Sequence, residues 1–201
     1  MKIIGITGGV GCGKSEIIRY IMKKYNCFVI FADDVAKQLQ QKGNLCYDKI
    51  VGLLGEKILA EDGEIDKVKM AATIFADETL LDKVNAIIHP AVYDYVLEKI
   101  AEYRIKNEID FFIIEAALLI ECGYGKIVDE MWYVYTTDEI RRERLKQSRG
   151  YSDEKISQIF SSQLSYEEFK RASSFIVDNN GAMELSQKQI DDKLEEYLCQ
   201  K

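Results

Sequence analysis

Gly8-Gly9-Val10-Gly11-Cys12-Gly13-Lys14-Ser15 is the densest chemical signal in the chain. It satisfies G-x-x-x-x-G-K-[ST]. Glycines let backbone N–H groups turn toward a polyphosphate without Cβ clashes. A helix opening at Lys14 adds positive partial charge from its N-terminus. Lys14 has the reach for β- and γ-phosphates, and the Ser15 hydroxyl suits Mg²⁺. The alternative, a tight turn whose glycines serve packing alone, leaves Lys14-Ser15 unexplained. The loop predicts nucleoside triphosphate binding and leaves the acceptor undefined.

Four further groups are candidates for the acceptor side. Asp33 follows a second apolar run, 19 residues after Lys14. A carboxylate at the carboxyl end of a parallel strand is placed to take a proton from a hydroxyl acceptor. Asp33 or Asp34 would equally serve as the N-cap of the next helix. Glu115 closes a third apolar run, where a carboxylate near magnesium belongs; a solvent-facing strand end is the plainer reading. His89-Pro90 joins the only histidine to the only proline. Proline at the first helical position with His89 at the cap competes there with a substrate contact. Arg141, Arg142, Arg144, Lys146 and Arg149 face Glu143 alone in a chain of net charge −7. Such a run is usually a solvated helix face, but guanidinium forks also suit a transferring phosphoryl group.

The elements that carry these groups follow from the apolar pattern. Lys2–Thr7, Cys27–Ala32, Phe111–Ile114, Met131–Tyr135 and Phe175–Val177 read as short buried strands, each ended by Gly, Asp, Glu or Thr. Lys14–Lys24 repeats apolar residues at helical spacing, so the opening is a βαβ unit with parallel strands. Residues 34–106 show helical stretches and no strand. Asp138 to Phe169 is charge-rich and helical, and Ala182–Leu198 closes the chain as a helix. Trp132, Tyr133, Tyr135 and Tyr124 read as core or core edge. Asp178-Asn179-Asn180-Gly181 reads as a strand-ending turn.

Composition limits the partners. The chain has 201 residues, 47% hydrophobic and 30% charged, which excludes disorder. Its acidic balance opposes long-range attraction to nucleic acid or anionic membrane. The most apolar run, Phe111–Ile120, is too short to span a bilayer. Five widely spaced cysteines form no zinc or C-x-x-C pattern and read as reduced thiols in a cytoplasmic protein. No obligate protein partner is evident. No Asn-Lys pair exists, so a guanine-specific N-K-x-D motif is absent.

The ordered set of motifs resembles the dephospho-CoA kinase family almost from end to end. Gly5 to Ser15 is similar to G-L-T-G-G-I-G-S-G-K-S, and Ala32-Asp33 with Ala36 to the end of D-A-D-x-x-A. Leu54-Gly55, Asp62-Gly63-Glu64-Ile65-Asp66, His89-Pro90, Leu118-Leu119-Ile120-Glu121, Gln163-Leu164-Ser165 and Ile176 to Gly181 follow in the family's order. The resemblance implies a P-loop NTPase three-layer α/β fold with a five-stranded parallel sheet. The nucleotide core would be 1–33, 107–137 and 172–201, with a helical CoA-substrate-binding insertion at 34–106 and a helical lid at 138–171. It implies transfer of the ATP γ-phosphoryl group to the 3′-hydroxyl of dephospho-CoA. Asp33, Lys14 and Arg144 would be catalytic. Gly8, Gly9, Gly11, Cys12, Gly13, Lys14, Ser15, Glu16, Arg144 and Arg149 would bind ATP. Asp33 and His89 would bind the acceptor, with Ser15 and Glu115 on Mg²⁺. Phe31, Cys12, Glu115, Ala117, Ser148-Arg149 and Ser173 depart from the family's usual residues. The alternative is another small-molecule kinase acting on a nucleoside monophosphate or hydroxy acid. A nucleotide kinase would offer more arginines before strand three, where only Arg19 and Arg104 occur. A nucleotide-switched binding protein is the third reading, and it needs no acceptor base.

Overall fold

The computed structural model describes residues 1–77 and 79–199. It forms two compact units, one of Met1–Ile30 with the described residues from Lys106 onward, the other of Phe31–Ile105.

The first unit holds β1 (Lys2–Thr7), α1 (Lys14–Lys24) and most of β2 (Cys27–Phe31), then β3 (Phe111–Glu115) and β4 (Glu130–Tyr135). After these come α6 (Asp138–Arg149), α7 (Asp153–Ser161), α8 (Tyr166–Ala172), β5 (Phe175–Asp178) and α9 (Met183–Leu198). The strands lie in the order β2-β3-β1-β4-β5. β1 pairs parallel with β3 and β4, and β4 with β5. Ile3, Ile4, Ile6 and Phe111–Ile114 are all buried, on both faces of the sheet, as central parallel strands require. Trp132 is fully buried and meets Phe175 edge-on, with ring centroids 4.9 Å apart. Tyr133 and Tyr124 are buried and Tyr135 half-buried, as the pattern predicts.

Adjacent strands β1 and β3 leave the sheet in opposite directions. β1 connects through α1 to β2 on one side, and β3 connects to β4 on the other. Such a switch point opens a crevice at the carboxyl ends of the two strands. The glycine loop and Glu115 are therefore brought to one place by topology.

The charge-rich segment is helical, as its pattern predicts, and is divided into three helices. Gly150 ends α6 in the left-handed region at φ 62°. Ser152 caps α7, and Ser165 forms a capping box with Glu168 on α8. These caps satisfy orphan backbone donors and so divide the stretch.

The second unit contains α2 (Ala32–Leu39), α3 (Tyr47–Leu54), α4 (Lys67–Ala76) and all but the last residue of α5 (Thr79–Lys106). Outside the named strands, its described residues form one isolated antiparallel bridge, Leu59–Ile65. The expectation that Pro90 starts a helix is corrected, because α5 runs through it. Proline inside a helix removes one backbone hydrogen bond. The buried positions Val84, Ile88, Ala91, Val92, Val96 and Ile100 continue at helical spacing on both sides of Pro90. Packing of that stripe overrides the local preference of proline.

Candidate active site

The glycine loop joins β1 to α1 and needs glycine for two separate reasons. Gly11 and Gly13 have φ of 85° and 94°, a region that side chains disfavour. Space is the second reason. A Cβ on Gly13 would lie 2.3 Å from Asn179 Nδ2, and one on Gly9 would lie 2.3 Å from an Arg141 nitrogen.

Lys14 Nζ donates to the Gly8 carbonyl at 2.7 Å and stands 3.8 Å from Glu115 Oε1. Both side chains are largely shielded, at 12% and 17% exposure. The register pairs Ile6 with Glu115, which explains the approach. Ser15 lies exposed in the first turn of α1. The Ser15 hydroxyl and Glu115 carboxylate are hard oxygen donors. Mg²⁺ keeps water and phosphate oxygens for its other positions, so a two-donor protein set fits it. Glu16 is exposed and paired with Arg19.

The loop is braced from below. The Cys12 carbonyl accepts from Asn179 Nδ2 at 2.8 Å, Thr136 Oγ1 at 3.0 Å and Arg144 Nη1 at 3.4 Å. Arg144 Nη2 also donates to the Asn179 carbonyl at 3.0 Å. Buried Ser186 donates to Asn179 Oδ1 at 2.9 Å, tying α9 to the brace. Cys12 is itself buried, with 1% of its surface exposed. Asn179 is thus more than a strand-ending turn, and Thr136 had no sequence signal at all.

The arginine run divides sharply. Arg141 is buried, Arg144 half-buried and Arg149 exposed at the end of α6, 5.8 Å from the Tyr151 ring centroid. Arg142 and Lys146 both pair with Asp153 and hold α6 to α7.

Asp33 and Asp34 are not caps, which corrects that alternative. Phe31 is the N-cap residue of α2, and both aspartates sit in the first helical turn. There a carboxylate favours the positive end of the helix dipole. Asp34 pairs with Lys37 at 2.6 Å, and Asp33 is exposed just beyond the end of β2. His89 is on the exposed side of α5, mid-helix rather than at a cap.

The family model of dephospho-CoA kinase matches residues 2–184. The chain belongs to the dephospho-CoA kinase family. A relative named dephospho-CoA kinase from Aquifex aeolicus is 36% identical over 196 residues, covering 98% of this chain and 97% of that protein. One of the same name from Oceanobacillus iheyensis is 33% identical and covers 97% of each. The solved dephospho-CoA kinase from Campylobacter jejuni superposes with a TM-score of 0.74 over 100% of both chains, at 23% identity. At that identity the superposition speaks for the fold. The P-loop α/β fold expected for the family is the fold found, and the chain is an ATP-dependent kinase by family. Among the described residues no helix is long and apolar enough to cross a membrane.

Proposed function

We propose that this chain transfers the γ-phosphoryl group of ATP to the 3′-hydroxyl of dephospho-CoA, giving CoA and ADP, with the residue roles that follow. The observation that carries the reading is Lys14, fixed between the Gly8 carbonyl and Glu115 at the mouth of the glycine loop, in a chain matched to the family over nearly its whole length.

Backbone N–H groups of Gly8, Gly9, Gly11, Cys12 and Gly13 cradle the polyphosphate, with Glu16 beside it. Lys14 holds the β- and γ-phosphates. Ser15 and Glu115 would hold Mg²⁺. Charge on the phosphoryl oxygens is partly neutralised when magnesium is bound. Asp33 accepts the proton of the attacking hydroxyl from its exposed place in the first turn of α2. Arg144 meets the nucleotide from the loop side, with Arg149 at the rim. His89 contacts the acceptor. Residues 34–106 form the acceptor-binding region, residues 138–171 the lid, and 1–33, 107–137 and 172–201 the nucleotide core. The substrate is a small molecule, the site of action is cytoplasmic, and the reaction calls for no obligate protein partner.

The test is steady-state turnover of wild type and Asp33→Asn with ATP, Mg²⁺ and dephospho-CoA. The reading expects CoA from wild type and a kcat about 10²–10⁴-fold lower in the variant, with ATP affinity nearly unchanged. Equal kcat values would move the base to another residue, Asp34 first.

A further inference from the structure

Val10 is held on both sides of its main chain by side chains from distant segments. Its N–H donates to Gln163 Oε1 at 3.2 Å, and its carbonyl accepts from Arg141 Nε at 2.9 Å. Arg141 Nη2 donates to the same Gln163 oxygen at 2.6 Å. The glycine loop, α6 and the turn after α7 thus close one ring of hydrogen bonds. Arg141 Nη1 is bound to Asp138 at 2.9 Å, and the guanidinium lies 4.1 Å from the Phe160 ring centroid. Each of its three nitrogens therefore has a partner within the protein. With Nε as well as both terminal nitrogens occupied, this guanidinium is poorly placed to act as a mobile phosphate clamp.

The loop is shaped to this contact. Gly9 is not in the positive-φ region, so its backbone would admit alanine. The obstacle is Arg141, whose Nη2 would stand 2.3 Å from a Cβ there. Gly11 is also hemmed in by α6, its Cβ position lying 3.0 Å from Leu145 Cγ and 3.1 Å from the Arg141 carbonyl.

We propose that Arg141 and Gln163 are positioning residues that fix the Val10 peptide and so hold the loop's N–H groups ready for the ATP phosphates. They act through Val10 and touch no substrate. The proposal rests on the reading that this loop binds ATP.

The experiment combines ATP affinity by calorimetry, kinetics and amide hydrogen exchange on the full chain. Gln163→Leu and Arg141→Met each remove one hydrogen bond to the Val10 peptide, and each should weaken ATP about tenfold while KM for dephospho-CoA holds within about twofold. Gln163→Glu keeps the acceptor oxygen and should stay within about threefold of wild type. The Val10 amide should be protected in wild type and lose protection in Gln163→Leu. Gly9→Ala should weaken ATP in wild type and add little in Arg141→Ala, because the clash has gone. Additive effects of Gly9→Ala and Arg141→Ala would overturn the proposal. So would a fall in kcat at unchanged ATP affinity, which would make Arg141 a transition-state contact. An unprotected Val10 amide in wild type would also overturn it, since the clasp itself would be missing. A protected Val10 in a wild type that binds no ATP would instead overturn the functional reading and, with it, the purpose assigned to the clasp.

Discussion

The ammonium of Lys14 stands 3.8 Å from the carboxylate of Glu115, joining the glycine loop after β1 to the end of β3. Neither residue is near the other in sequence, yet parallel pairing of β1 and β3 brings them together. The pair sets a cation and an anion side by side, at the point where the two strands diverge, and the proposed reading gives the first to phosphate and the second to Mg²⁺.

Replacing Lys14 by alanine removes the charge that meets the transferring group. Turnover should become undetectable while the thermal transition stays within a few degrees of wild type. Near-native turnover, measured by ADP release, would contradict the role given to the loop.

Glu115→Gln keeps the shape and removes the charge. The Mg²⁺ concentration for half-maximal rate should rise about 10–100-fold, the usual effect of losing a supporting group at a metal site. A Mg²⁺ titration of the rate checks this. An unchanged midpoint would take Glu115 away from the metal and leave it a structural partner of Lys14.

Arg144 and Arg149 make opposite predictions. Arg144 is held against the Asn179 carbonyl below the loop, whereas Arg149 is exposed. Arg144→Ala should lower kcat by about 10²–10⁴-fold, somewhat less than losing an arginine finger. Arg149→Ala should lower it less than about tenfold. Side-by-side turnover at saturating ATP separates them, and a reversed order would give the role to Arg149.

Asp191 predicts a pH-dependent stability. Its carboxylate accepts from Tyr20 at 2.7 Å, Tyr25 at 2.6 Å and Lys24 at 2.8 Å, tying α1 to α9. Burial would raise this carboxyl, but Lys24, Tyr25 and Tyr20 outweigh it and hold it below the usual range. The folded value is thus lower than the unfolded one of about 3.9. Its stabilisation is present above the unfolded value and disappears as pH falls through the folded one. Asp191→Asn should cost about 1–3 kcal/mol at neutral pH, and the deficit should shrink below about pH 4. Urea melts at the two pH values check it. A deficit independent of pH would contradict the charge-based account.

The strands were legible because each is a short apolar run stopped by a turn residue or a carboxylate, and the glycine loop because its composition has a chemical reason. Pro90 misled because its local preference is overridden by a buried stripe that extends on both sides. In sequence Gln163 stands out only as a member of a motif, and Asn179 only as a motif member in a strand-ending turn. Their work depends on contacts with Val10 and Cys12 across more than 150 residues, and no spacing rule reaches that far. Arg141 was hidden in a charge run whose members range from buried to exposed, a distinction set by packing against the loop and Phe160.

The central claim is the acceptor, and an acceptor panel tests it most directly. Purified chain is incubated with ATP and Mg²⁺ and, separately, dephospho-CoA, nucleoside monophosphates and shikimate, with ADP release followed and products located by ³¹P NMR. The account predicts ADP release with dephospho-CoA, matched mole for mole by a new phosphate on the ribose 3′-oxygen, and background rates with the others. Faster phosphorylation of another acceptor, or phosphate at a different position of dephospho-CoA, would contradict it.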